Sequence, residues 1–168
     1  RWLRAPFLYH NGFAGRGDGR LRVPEQTQST GGRILALDLG QRRIGLAISD
    51  ELGITAQGLD TLERTRLRDD LDRLALLAYE RGVTLFLVGN PLHMSGREGR
   101  QAGFAREFGE LLGRRTRLPV EYWDERLTTV EATRVLRESG ISSRKRARSV
   151  DRLSAVLLLE SYLDSIAP

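Results

Sequence analysis

Four carboxylates that lie far apart in the sequence fall where strands are expected to end or helices to begin. Asp38 closes the apolar run ILALD, Asp124 and Glu125 close PVEYWDE, and Asp151 opens the apolar segment VDRLSAVLLL. Ligands of open α/β sheets bind outside the carboxyl ends of the parallel strands, which is where these residues are expected. Three or four converging carboxylates without histidine form an oxygen-rich site that suits Mg²⁺ or Mn²⁺. Two such ions about 3.5–4 Å apart can hold both the attacking water and the leaving oxygen of a phosphodiester.

Each of these carboxylates also has a purely structural explanation. Asp38 could cap the turn before Gly40, and Asp124 could hold the next turn through an Asx-type hydrogen bond. Glu125 could be a solvated loop charge, and Asp151 could interact favourably with a helix dipole. The positions of the four residues by themselves leave both explanations open.

Basic side chains accompany the acidic positions. Arginine binds phosphate oxygens in a bidentate manner, so basic residues beside carboxylates suit an enzyme that holds a nucleic-acid backbone next to metal ions. A solvated surface run is the alternative for the densest group, RKRAR at 144–148. The few aromatic residues favour backbone or shape recognition over base recognition. The candidate nucleic-acid-binding residues are Arg42, Arg43, Arg97, Arg126, Arg144, Lys145, Arg146 and Arg148.

Hydrophobic periodicity predicts the elements that must position these residues. Apolar runs predict strands, and apolar residues at helical spacing predict helices. The expected strands are 34–38, 43–49, 58–63, 83–89 and 119–124, and the expected helices are 66–81, 98–114, 128–139 and 150–165. Residues 141–149 are expected to form a basic loop that is mobile without substrate. This order predicts an α/β fold with a five-stranded mixed sheet, order 3-2-1-4-5, and helices on both faces.

Composition limits the remaining possibilities. The 168 residues suit one domain, expected at 31–168, behind a flexible basic, glycine-rich tail at 1–30. There is no cysteine, which excludes disulfides, a thiolate zinc site and a cysteine nucleophile. No apolar run is long enough to span a membrane and no secretory leader is seen, so no membrane partner and a cytoplasmic location are expected.

Four sequence blocks resemble, in order and spacing, the motifs of the YqgF family, also called RuvX. The family belongs to the RuvC-like branch of ribonuclease H-like nucleases. The resemblance covers about 31–165, and the first and third blocks together are highly specific. The blocks are ALDLGQRRIGLAISD at 36–50, VGNPLHMSGREGRQA at 88–102, DERLTTVEA at 124–132 and VDRLSAVLLLESYLD at 150–164.

The resemblance implies a ribonuclease H-like fold and phosphodiester hydrolysis with Mg²⁺ or Mn²⁺, two ions being expected. Matched position by position, it implies catalytic and metal-binding roles for Asp38, Asp124, Glu125 and Asp151. Ribonuclease H itself has a carboxylate at the end of the fourth strand, where this chain has Gly89-Asn90. The metal ligands would therefore be completed from the fifth strand.

The family implies two substrates, and the sequence does not separate them. One is the precursor of 16S ribosomal RNA, trimmed at its 5′ end. The other is a Holliday junction, whose resolution needs two active sites and hence a homodimer. The DxG segment at 38–40 also resembles the first phosphate loop of actin-like ATPases, but those enzymes need two such domains. A nucleic-acid-binding module with an inactive site is a further alternative.

Overall fold

The computed structural model describes residues 31–90, 100–124 and 143–167. Its strands are β1 (Arg33–Leu39), β2 (Arg43–Ser49), β3 (Ala56–Gly58), β4 (Leu62–Glu63), β5 (Val83–Asn90) and β6 (Val120–Asp124). Its helices are α1 (Leu67–Arg81), α2 (Arg100–Thr116) and α3 (Ser143–Ile166). The predicted tail at 1–30 and the predicted helix at 128–139 lie outside the described residues.

The strands form one mixed sheet in the order β3-β2-β1-β5-β6, and β4 also pairs with β2. β2 runs antiparallel to β1, whereas β5 and β6 run parallel to it. The predicted order 3-2-1-4-5 is therefore confirmed, with the third strand divided into two pieces. Parallel pairing brings the carboxyl ends of β1, β5 and β6 to the same edge, which we call the carboxyl edge.

Each face of the sheet carries its own hydrophobic core. Leu35, Leu37 and Phe86 belong to the core that includes residues of α1 and α2. Ile34, Ala36 and Leu87 belong to the core under α3, and Leu158 and Leu159 of that helix are fully buried. Because successive side chains of a strand point to opposite faces, odd-numbered residues of β1 such as Leu35 face α1 and α2, and even-numbered residues such as Ile34 face α3. The predicted coverage of both faces by helices is confirmed.

The single third strand expected at 58–63 is wrong in detail. β3 ends at Gly58, and β4 begins at Leu62. The main-chain oxygen of Gly58 accepts a hydrogen bond of 2.7 Å from the Arg152 guanidinium. The Gly58 carbonyl, at the point where the strand is interrupted, is thus hydrogen-bonded to a side chain of α3.

The prediction of a basic loop at 141–149 is also wrong for the residues that the structure describes, because α3 begins at Ser143. Arginine, lysine and alanine are good helix formers, and their propensity outweighs the repulsion expected of clustered charge. The cluster at 144–148 therefore lies on the first turns of the helix that carries Asp151. No helix in the described part of the chain is long and apolar enough to cross a membrane.

Candidate active site

Asp38 lies near the carboxyl end of the central strand β1. It pairs with Gly45 of β2, and the neighbouring Leu37 pairs with Val88 of β5. By alternation, Asp38 shares the α3 face with Ile34 and Ala36. This carboxylate is therefore directed to the side of the sheet on which Asp151 begins to pack.

Gly45 allows α3 to approach Asp38. A Cβ atom at position 45 would collide with the main-chain oxygen of Asp151 and lie 3.3 Å from Cβ of Asp38. The first part of α3 thus packs directly on the β1–β2 pair, with Gly45 between the two aspartates. Glycine is needed at this position because it permits a close approach of two main chains. Two of the four predicted acidic residues are brought together in this way.

Arg43 forms an ion pair with Asp151. Its Nε donates a hydrogen bond of 2.6 Å to Oδ2 of Asp151, and both side chains are 24 % exposed. The sequence predicted a nucleic-acid contact for Arg43, whereas the structure gives it a carboxylate within the protein. A charged hydrogen bond at this exposure fixes the carboxylate of Asp151 and ties the start of α3 to β2.

We expect Arg43→Met to lower the free energy of unfolding by about 1–3 kcal/mol, because the partly buried Asp151 loses a charged hydrogen bond. Denaturant unfolding measures the change. Arg42→Met is the matched control, since it removes the same charge from an exposed neighbour and should stay within about 0.5 kcal/mol. A double-mutant cycle with Asp151→Asn should show coupling, and strict additivity would contradict the pairing.

Asp124 ends the edge strand β6, which is anchored to α3. The indole Nε1 of Trp123 donates to Ser161 Oγ at 3.1 Å, and its ring meets Tyr162 edge-on at 5.4 Å. The hydroxyl of Tyr162 donates to Glu121 at 2.7 Å. Burial, followed by this bond to Glu121, raises the pKa of Tyr162 above its usual range. These contacts join β6 to α3 near the carboxyl edge.

The described residues do not bring Asp124 to the other two carboxylates. Asp124 pairs with Asn90 of β5, so a whole strand separates it from β1. Val120 and Tyr122 pack on the α1–α2 core, and alternation places Asp124 on that same face, opposite Asp38. In the described part of the chain, no three Asp, Glu or His side chains form a group able to hold a metal ion. Glu125 lies outside the described residues.

The other predicted basic residues are only partly described. Arg42 is exposed beside Arg43 on the β1–β2 connection. The cluster at 144–148 begins α3, one turn ahead of Asp151. Arg97 and Arg126 lie outside the described residues. Basic residues thus follow Asp38 in the sequence and precede Asp151 on α3.

Asn90 has an unusual environment for an amide. It is 6 % exposed, and its Oδ1 finds no hydrogen-bond partner among the described residues. It stands at the end of β5, the position at which the sequence lacked the carboxylate of ribonuclease H. A buried acceptor without a hydrogen-bond partner lowers stability, so Asn90 is a candidate for a functional role at the carboxyl edge.

The structure also shows a pocket that the sequence did not predict. The Arg64 guanidinium lies over the ring of Phe104, 4.6 Å from its centroid, and donates to the main-chain oxygen of Gly40 at 2.9 Å. These residues line an open cavity of about 440 Å³ beside the end of β1. The signal in the sequence is weak, because Arg64 lies in the connection between β4 and α1, Phe104 lies on α2, and neither belongs to a motif.

Comparisons with solved structures support the fold. A Thermus thermophilus RuvC structure with a Holliday junction substrate aligns with a TM-score of 0.50 at 12 % identity, covering 79 % of this chain and 94 % of that one. A fowlpox virus resolvase in complex with Holliday junction DNA aligns with a TM-score of 0.51 at 10 % identity, covering 81 % and 99 %. These two likenesses show that the chain has a RuvC-like, ribonuclease H-like fold.

Sequence comparisons define the family. The family model described as RuvX, Holliday junction resolvase, matches residues 32–165. A protein of Koribacter versatilis named "Putative pre-16S rRNA nuclease" is 54 % identical over 133 residues, covering 79 % of this chain and 87 % of its own. A protein of Clostridium novyi with the same name is 45 % identical over 134 residues, covering 80 % and 99 %. The chain belongs to the RuvX family.

Proposed function

We propose that this protein is a divalent-metal-dependent nuclease that acts in the cytoplasm on the 5′ end of precursor 16S ribosomal RNA. The observation that carries the proposal is the packing of Asp151 against Asp38 across Gly45 in a chain 54 % identical to a protein named for this activity. In this proposal water is the nucleophile, and carboxylate-bound metal ions activate it.

The residues at the carboxyl edge fit a divalent cation. Asp38 and Asp151 offer the carboxylate oxygens that Mg²⁺ and Mn²⁺ prefer, and they belong to two elements that pack closely together. We propose that Glu125, which follows β6, completes the ligands for two ions, since alternation places Asp124 on the face opposite Asp38. Bound there, the ions would activate water and stabilise the charge that develops on the leaving oxygen. Arg43 orients the carboxylate of Asp151 from the side of β2.

The first turns of α3 are the proposed path of the nucleic-acid backbone. They carry Arg144, Lys145, Arg146 and Arg148 directly ahead of Asp151. Basic residues on the same helix as a metal ligand would place a phosphate beside the metal site without reading the bases. Arg42, exposed at the end of the β1–β2 connection, extends this path.

Replacing Arg144, Lys145, Arg146 and Arg148 together by alanine should weaken binding to every nucleic acid tested. Each lost phosphate contact should reduce the slope of log K against log salt by roughly one unit. Alanine preserves the helix, so the effect is one of charge. Titrations of a labelled duplex at several salt concentrations measure it.

The matched control removes four exposed arginines of α1 and α2, on the other face of the sheet. Arg68, Arg73, Arg81 and Arg114 suit this purpose, because their loss changes the net charge by the same amount. Equal weakening by both variants would show that total charge matters and that the start of α3 is not the binding path.

Resolution of Holliday junctions is the second candidate function. The family description and the two junction-bound fold neighbours favour it. Cutting opposed strands of a junction requires two active sites related by symmetry, so this function would require a homodimer. Trimming of a ribosomal RNA precursor places no such requirement on the chain.

A parallel cleavage assay separates these functions. Purified protein is given a four-way DNA junction, a linear DNA duplex and the 5′ segment of a 16S ribosomal RNA precursor, each with Mg²⁺ and with Mn²⁺. We expect cleavage of the RNA with either ion and none with EDTA. Paired cuts in the junction alone would establish the second function, and binding without any cleavage would establish an inactive binding module.

A further inference from the structure

We propose that the cavity beside the end of β1 binds one unpaired nucleobase of the substrate. We call it the Arg64 pocket; the described residues that line it are Leu39, Gly40, Gln41, Arg64, Gln101 and Phe104. This inference deepens the proposed function and rests on it. Leu39 and Gly40 directly follow Asp38, so the pocket opens at the same carboxyl edge as Asp38, on the α1–α2 side of the sheet.

The chemistry of the walls matches a base. The guanidinium of Arg64 is fixed in orientation by the Phe104 ring beneath it and by the main-chain oxygen of Gly40. A planar cation held in this way leaves its second face for stacking, and both arginine and aromatic side chains stack on unpaired bases. Preorganisation lowers the entropy that binding would otherwise cost.

The remaining polar groups match the edges of a base. Gln41 and Gln101 are exposed amides, each with two donor hydrogens and an acceptor oxygen. Such groups can pair with any of the bases, so the pocket would favour an unpaired nucleotide with little regard to its identity. The described walls carry no carboxylate, which makes a nucleotide a better occupant than a metal cation. The cavity of about 440 Å³ falls within the range typical of small-molecule sites, roughly 300–1,000 Å³.

A base in this pocket would constrain the substrate. Its backbone would pass Gly40 and cross the carboxyl edge from the pocket to Asp38. The enzyme would therefore cut next to an unpaired nucleotide, such as a frayed end or a branch point, and would bind a fully paired duplex less well. Stacking explains this preference without any sequence recognition.

The test measures binding without cleavage. Its probe is a short RNA duplex with one unpaired 5′ nucleotide, replaced by fluorescent 2-aminopurine, and the comparison is the same duplex with a blunt end. Both are titrated in EDTA, so the RNA stays intact. We expect the overhang to bind about tenfold more tightly than the blunt duplex, with a change in 2-aminopurine fluorescence. An equal affinity for the two duplexes would overturn the proposal.

Two variants locate the effect. The double variant Gln41→Ala with Gln101→Ala alters only exposed side chains, and Arg64→Met keeps the apolar cover over Phe104. Both should abolish the tenfold preference. The controls Gln57→Ala and Arg73→Met should retain it; Gln57 is an exposed amide of β3, and the Arg73 guanidinium donates to the main-chain oxygen of Glu63 much as Arg64 does to Gly40. A preference that survives in both pocket variants overturns the proposal.

Two further measurements separate the possible sources of failure. Titration with adenosine monophosphate asks whether a free nucleotide is the occupant; tighter binding of this nucleotide than of the RNA overhang would overturn the assignment to the substrate. Cleavage is measured separately with Mn²⁺. A preference for the overhang without any cleavage would support the pocket and contradict the nuclease, whereas cleavage without the preference would do the reverse.

Discussion

We expect Asp38→Asn to abolish cleavage of the precursor RNA while the protein stays folded. The expected loss is about a thousandfold or more, because metal ions supply several kcal/mol of stabilisation to the transition state. An amide keeps the size of the carboxylate but removes the charge that binds the cation. Mn²⁺ titration by calorimetry should show weaker binding, and circular dichroism should be unchanged.

Two other substitutions sharpen this prediction. Asp164→Asn changes an exposed carboxylate farther along α3 and should leave cleavage as it is. Asp124→Asn should reduce the rate of RNA cleavage less than Asp38→Asn does, because alternation along β6 places Asp124 on the face opposite Asp38. Full activity in the Asp38→Asn variant would remove this carboxylate from the metal site and, with it, the proposed chemistry.

Gly45→Ala should damage stability and activity together. The added Cβ meets the main-chain oxygen of Asp151, which can move only if the start of α3 moves. Crowding of this kind costs about 1–3 kcal/mol. For a chain of this length, each kcal/mol corresponds to a fall of about 2–4 °C in Tm. A shift of Asp151 by about 1 Å could lower the cleavage rate by about a hundredfold.

Gly103→Ala is the matched control for this substitution. Gly103 lies on α2, exposed, and a Cβ there meets no other atom within 4 Å. Alanine in an exposed helix should raise stability by about 0.5–1 kcal/mol and leave cleavage unchanged. Thermal unfolding and the RNA cleavage assay check both variants. A Gly45→Ala protein as stable and active as the parent would mean that α3 does not pack against β2 as described.

The order of elements and the sheet topology follow from the sequence, because they depend on local periodicity. The apolar runs that include Ile34–Leu37 and Leu85–Val88 are recognisable as buried strands, and Gly82 ends α1 in the left-handed conformation that favours glycine. The position of Asp38 at the end of a central strand is predictable for the same reason. Where charge pattern and helix propensity conflicted, at 143–149, propensity decided the structure.

The contacts at the site depend on tertiary structure. Arg43 and Asp151 are 108 positions apart, and nothing in either segment indicates that one side chain holds the other. The Arg64 pocket likewise exists only because the chain after β4 packs beside α2, which puts a guanidinium over Phe104. The sequence by itself determined the order of the main elements and the acidic residue types, since those follow from local pattern and composition. Only the packing of α3 across Gly45 decided which of the acidic residues lie close together, because that depends on the close approach of elements far apart in the chain.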